Sequence, residues 1–112
     1  MLHNACMGDP FGGNPMVLVT LNAPREKFWG CVLSIGAAGI SLRGIDLQAF
    51  EELMRTVRAG EPVQAATVFF PMHRVERMEL DIRSGEIPAL AERFRERTGQ
   101  SIGAVMAGEA EK

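Results

Sequence analysis

The sequence predicts a mostly β domain with two helices: a small, bent, five-stranded antiparallel sheet or barrel, with one helix inserted between strands 3 and 4 and another at the C-terminal end. Three observations carry this reading. Five short apolar or alternating runs are separated by Gly, Pro and Asn turns, and short antiparallel links suit a small sheet that closes to hide its edges. Between the third and fourth runs the apolar period switches from that of a strand to that of a helix. The stretch Thr67-Val68-Phe69-Phe70-Pro71-Met72-His73-Arg74-Val75-Glu76-Arg77-Met78-Glu79-Leu80 reads as two strands meeting at a tight corner, with a proline break and a basic tip.

Residues 1–15 contain Gly8, Asp9, Pro10, Gly12, Gly13, Asn14 and Pro15 and read as a flexible leader, with Met7 and Met16 as alternative start candidates. Val17-Leu18-Val19-Thr20-Leu21 is β-branched and forms the first strand. Asn22-Ala23-Pro24-Arg25 supplies a turn. Phe28 to Ile35 is apolar at nearly every position, as a strand covered on both faces requires, and Gly30 inside it marks a bend or a close backbone approach. After the Gly36-Ala37-Ala38-Gly39 turn, Ile40 to Ile45 alternates like an antiparallel return strand.

Asp46 is placed to cap a helix over residues 46–59, whose apolar face is Leu47, Phe50, Leu53, Met54 and Val57; Gly60 and Pro62 stop it. Val75 and Met78 lie three apart, which a strand with a bulge accommodates. Pro88 opens a second helix, 88–98, with Leu90, Phe94 and Ile87 as its apolar stripe and Gly99 as its end. Residues 100–112 have weak periodicity and are expected to fray. One domain thus spans 16–99.

Composition limits the function. The 112 residues fit one domain with a core of its own. Twelve bases against 14 acids give a net charge of -2, so the basic excess of a DNA or non-specific nucleic-acid binder is missing and any RNA contact must be local. No apolar run approaches the ~20 residues of a membrane span, and the N-terminus does not read as a signal peptide, so no membrane contact is expected and the cytoplasm is the default location. Cys6 and Cys31 are not expected to pair, because Cys31 reads as a small core residue.

His3, Cys6, Cys31 and His73 lack the spacing of a metal site, and neither metal nor cofactor is expected. Ser34 and Ser41 have no nucleophile-elbow motif and no assigned base, and Gly36-Ala37-Ala38-Gly39 lacks the Lys and Ser/Thr of a phosphate loop. Glu51 and Glu52 read as a solvated helix face. No catalytic residue is assigned and an enzyme is not expected.

Phe28 to Leu33 and Val68 to Phe70 are apolar on both faces, while a small barrel has one interior; the outward set must meet a helix or another subunit. Trp29, Phe69, Phe70 and Met72 are the interface candidates, in a homo-oligomer.

Phe28-Trp29-Gly30-Cys31-Val32-Leu33 resembles the second strand of the Sm-like family, with Gly30 where that family needs a sharp bend. Phe69 to Met78 resembles its fourth and fifth strands and their tight connection. The resemblance covers roughly Val17 to Asp81 and implies a five-stranded barrel assembled as a ring by edge-strand pairing. In the bacterial host-factor RNA chaperone of this superfamily, a basic residue and a histidine line a uridine pocket at the subunit boundary. His73 falls at the matching place with Arg74 beside it, and Arg43, at the end of the third strand, is expected on the same rim. His73, Arg74 and Arg43 are therefore the RNA-binding candidates. The plainer reading has His73 packing at a corner and Arg74 paired with an acid such as Glu76. Gly36 to Ser41 carries neither the acidic residue nor the asparagine of the family's first motif, which favours a protein-interaction or scaffold ring without RNA; the match at His73 favours RNA. Both functions remain open on the sequence.

Overall fold

Val17, Val19 and Leu21 alternate with Leu18 and Thr20, which sends one set of side chains to each face of a strand. The structure, a computed structural model that describes residues 8–106, builds β1 (Met16–Leu21) there. β2 (Glu26–Ile35), β3 (Gly39–Asp46), β4 (Ala66–Pro71) and β5 (Val75–Leu80) complete one five-stranded sheet in the order β4-β3-β2-β1-β5. Every ladder in it is antiparallel. A 3-10 turn, capped by the Asp46 carboxylate accepting from the Gln48 N–H at 2.9 Å, leads into α1 (Phe50–Arg58) between β3 and β4. α2 (Leu90–Thr98) and α3 (Ile102–Met106) follow β5. The mostly β architecture, with an inserted helix and a C-terminal one, agrees with the sequence reading.

Two cores lie on opposite faces of the sheet. Val17, Val19, Leu21, Phe28, Val32, Ile40 and Leu42 form the first. Val68 and Phe70 from β4 and Val75, Met78 and Leu80 from β5 pack onto the same cluster, so the sheet curls until both outer strands face one interior. Phe28 and Phe70 meet there edge to face, 5.2 Å between ring centroids. The curl passes through a cross-strand pair of glycines, Gly30 and Gly44. A Cβ on Gly30 would stand 2.7 Å from the Arg43 carbonyl oxygen, and one on Gly44 would run into the Trp29 carbonyl. The bend expected at Gly30 is thus shared with a second glycine that the sequence reading did not single out. The bulge appears where β5 meets β1: Thr20 pairs with Arg77 but Leu21 with Val75, which leaves Glu76 over.

The second core lies between the other face and the helices. Trp29 is fully buried, set edge-on to Phe50 at 5.2 Å and tilted to Phe94 at 6.2 Å. Phe50, Leu53, Met54 and Val57 of α1 and Ile102, Val105 and Met106 of α3 close over it. Asp81, just after β5, fastens this layer. Its carboxylate accepts from the Trp29 indole N–H at 2.9 Å and from the Leu90 and Ala91 N–H groups at 2.8 and 2.9 Å. Those two amides open α2, where an acid is favoured both as an acceptor and by the helix dipole. Glu92 adds a bond from the Ala89 N–H at 2.7 Å.

Four expectations need correcting. Trp29 is not an interface residue, because the inserted and C-terminal helices of its own chain cover it completely. Residues 102–106 are not frayed: they form α3, and Ile102, Val105 and Met106 are buried, a spacing short enough to escape notice in so small a helix. Residues 11–15 are not a loose leader. Phe11 packs on the curled core, Asn14 Nδ2 donates to the Val32 carbonyl at 2.7 Å, and Val32 N–H donates to Pro15 O at 2.9 Å. Ile87 does not extend the stripe of α2, being 71% exposed. The start candidates Met1 and Met7, the metal and disulfide readings at His3 and Cys6, and the tail beyond residue 106 lie outside the described residues.

Replacing Asp81 by alanine strands three N–H groups that are partly buried, and is expected to lower unfolding free energy by about 2–4 kcal/mol. Urea unfolding followed by Trp29 emission measures this; a loss below about 0.5 kcal/mol would show the carboxylate to be idle.

Candidate functional site at the corner after the fourth strand

Pro71 has no N–H to give to a ladder and a fixed φ, so β4 ends there. Met72-His73-Arg74 then makes a single 3-10 turn. The Met72 N–H donates to Ala38 O at 2.9 Å, in the β2–β3 turn, and the Asn22 N–H donates to Arg74 O at 2.9 Å, in the β1–β2 turn. The corner therefore bridges both hairpin ends.

Arg74 is the brace of this corner. Its Nε donates to Asn22 O at 2.9 Å and a terminal nitrogen donates to Pro24 O at 2.8 Å, with the Glu26 carboxylate at 3.8 Å. The planar fork reaches the two carbonyls from separate nitrogens held in a fixed geometry, which the single ammonium of a lysine does not offer. Its partner is not Glu76, which pairs with Arg25 at 3.5 Å. The His73 side chain is exposed, and its ring makes no hydrogen bond among the described residues. Arg43 sits elsewhere. It faces Cys31 across one ladder and Thr67 across the other, four residues along β3 from the Gly39–Pro71 pair that leads into the corner. At ~3.3 Å per residue that is about 13 Å away. The structure thus joins His73 to Arg74 and leaves Arg43 exposed at a distance from them.

Beside Arg43, the half-buried Cys31 thiol donates to Asn14 O at 3.3 Å. Burial pushes its pKa up, and the Arg43 charge offsets part of that rise.

The interface candidates divide. Phe70 is half-buried in the curled core, whereas Phe69 and Met72 are 54% and 38% exposed. Phe69 lies across Gly39, where a Cβ would stand 2.6 Å from the ring. Leu33 and Ile35, at 44% and 45%, join them around the β2–β3 turn. Sequence reasoning missed this pair. The available signal was the run itself, which is apolar on both faces up to its end; a register shift between Val32 and Ser34 falls at the same place.

Two clefts lie elsewhere on the surface. One, about 250 Å³, lies where α1 ends and α3 begins, lined by Val57, Pro62, Val63, Gln100 and Val105. The other, about 580 Å³, is lined by residues of both charges, among them Arg25, Lys27 and Asp46. Among the described residues, no three His, Cys, Asp or Glu side chains gather as metal ligands, and no helix is long and apolar enough to cross a membrane. No protein-family model, curated protein or solved structure matches the chain.

Two outcomes are expected. Arg74→Ala should cost about 1–2 kcal/mol of stability by freeing the corner, while His73→Ala should stay within about 0.5 kcal/mol of the parent; thermal melts compare them, and equal losses would remove the brace. In a Cys6→Ser background, the pH midpoint for alkylation of Cys31 should lie above the ~8.5 of a free thiol, and Arg43→Ala should raise it further, because the cation that favours thiolate is gone. A midpoint below that of a free thiol would contradict the burial argument.

Proposed function

We propose that this chain is a non-catalytic, Sm-like oligomeric module whose copies join edge to edge as a ring and act as a protein scaffold. The observation that carries the reading is the strand order. β4 and β5 are the outer strands of the sheet, and each has a ladder on one side only. An outer strand with unpaired N–H and C=O groups is a template for a further strand, and natural proteins cover, charge or pair such edges. β4 carries no charged residue, and exposed Phe69 and Met72 stand at its end. That is the composition of an edge meant to be covered. The tight corner between β4 and β5 and the glycine bend are the features that the Sm resemblance rests on.

RNA binding at the corner is the second reading, favoured by the exposed His73 ring. The commitment of Arg74 to Asn22 and Pro24, the separation of Arg43 and the net charge of -2 favour the scaffold.

Light scattering at tens of micromolar should give a mass several times the protomer's, and Phe69→Glu with Met72→Glu should reduce it. A strict monomer would remove the ring. Titration with uridine-rich RNA at physiological salt should show no saturable binding. Micromolar or tighter affinity that is lost in His73→Ala would transfer the function to RNA.

A further inference from the structure

Among the described residues, the most exposed large apolar side chains are Ile82 and Ile87, at 66% and 71%. Both sit on one short loop after β5. Reciprocal Ser84–Ile87 backbone bonds of 2.9 Å close it, and Gly85, at φ +61, makes the turn. The Arg83 guanidinium holds Glu92 at 3.4 Å across the base. A loop ordered in this way loses little freedom when it docks. Among the described residues, nothing covers the two isoleucines.

The cleft of about 250 Å³ has the complementary character. Its walls are Val57, Pro62, Val63 and Val105, and Glu61 stands at its rim without an ion pair among the described residues. It is smaller than the ~300–1,000 Å³ that accommodates drug-sized ligands, and suits one or two branched aliphatic side chains.

Chain direction connects the two. The cleft's loop, residues 60–63, comes just before β4, and the isoleucine loop comes just after β5. If β4 of one copy pairs antiparallel with β5 of the next, the start of β4 faces the end of its neighbour's β5. The segment ahead of Ala66 then meets the segment beyond Leu80. Parallel pairing would set the cleft against the neighbour's corner at Val75 instead. All four ladders within the sheet are antiparallel. Arg83, adjoining Ile82, also brings a charge opposite to that of Glu61.

We infer that Ile82 and Ile87 of one copy enter the cleft at Val57, Pro62, Val63 and Val105 of the next, so that a second copy of this chain is the cleft's occupant. The inference rests on the edge-paired reading above, its antiparallel sense included, and adds the side chains that fix it. Each copy carries the projection at one edge and the cleft at the other, a head-to-tail contact of the kind that gives a ring when its rotation closes.

Two measurements on the full chain test it. First, light scattering across a concentration series compares the parent with Ile82→Asp/Ile87→Asp, whose fold is checked by Trp29 emission. The variant should need about tenfold more protein, or greater, to reach the same mass. Second, in a Cys6→Ser/Cys31→Ser background, Pro62→Cys combined with Ile87→Cys should oxidise to covalent dimers and a ladder on a non-reducing gel, and neither single cysteine should give more than a dimer. If the parent assembles but the aspartates leave assembly unchanged and the double-cysteine chain gives no ladder, this contact is wrong while edge pairing stands. If the parent is monomeric, both fall together.

Discussion

The indole of Trp29 holds the two halves of this molecule together. It projects from the middle of β2, the central strand, onto the face away from the curled core, and it is the group around which Phe50 and Phe94 settle. A buried indole needs an acceptor for its N–H, and Asp81 supplies one. The same carboxylate takes the first free amides of α2, so one acidic group sets the end of β5, the start of a helix and the orientation of the central aromatic. Without it, α2 would meet the sheet with three donors unanswered. The helical layer is therefore positioned by a polar contact and filled in by an apolar one.

That layer changes where association has to be sought. An apolar surplus on the outward face of the sheet argues for either a helix or a second subunit, and for Trp29, Met16, Leu18 and Ile45 the answer is a helix of the same chain. Among the described residues, the exposed large apolar side chains fall in two places. One lies around the β2–β3 turn beside Phe69, and the other is the loop after β5. Both adjoin outer strands and neither lies on the central face. A module that satisfies its faces internally and leaves its edges bare suits lateral assembly better than stacking.

The parts of this arrangement that were legible in the sequence are those set by local chemistry. Alternation placed the strands, helical spacing placed α1 and most of α2, and Gly30 announced a bend because a glycine in an apolar strand has few other reasons to be there. Gly44 was silent, since its necessity comes from a partner fourteen residues earlier. α3 was hidden because five residues are too few to display a period. Phe11 and Asn14 were misjudged because their Gly/Pro-rich setting implied looseness, whereas their anchorage lies across the sheet at Val32. The corner is legible, but neither reading of Arg74, toward RNA or toward an acid such as Glu76, contains its partners; nothing in the local sequence reveals that the carbonyls of Asn22 and Pro24, some fifty residues earlier, take its guanidinium. Long-range polar contacts leave no periodic trace.

The route of the chain through α1 has a separate implication. β3 and β4 are neighbours in the ladder, with Gly44 and Ala66 opposite each other, and everything between them departs from that rung and comes back to it. In topological terms the excursion is an overgrown hairpin loop. A two-residue turn in its place would keep the β3–β4 ladder and would strip Phe50 and the rest of α1 from the indole on its back. The two cores are thus separable on paper: the buried residues of one all come from strands, while the other needs the lengthened hairpin to fold over its own outer wall and meet α2 and α3 there.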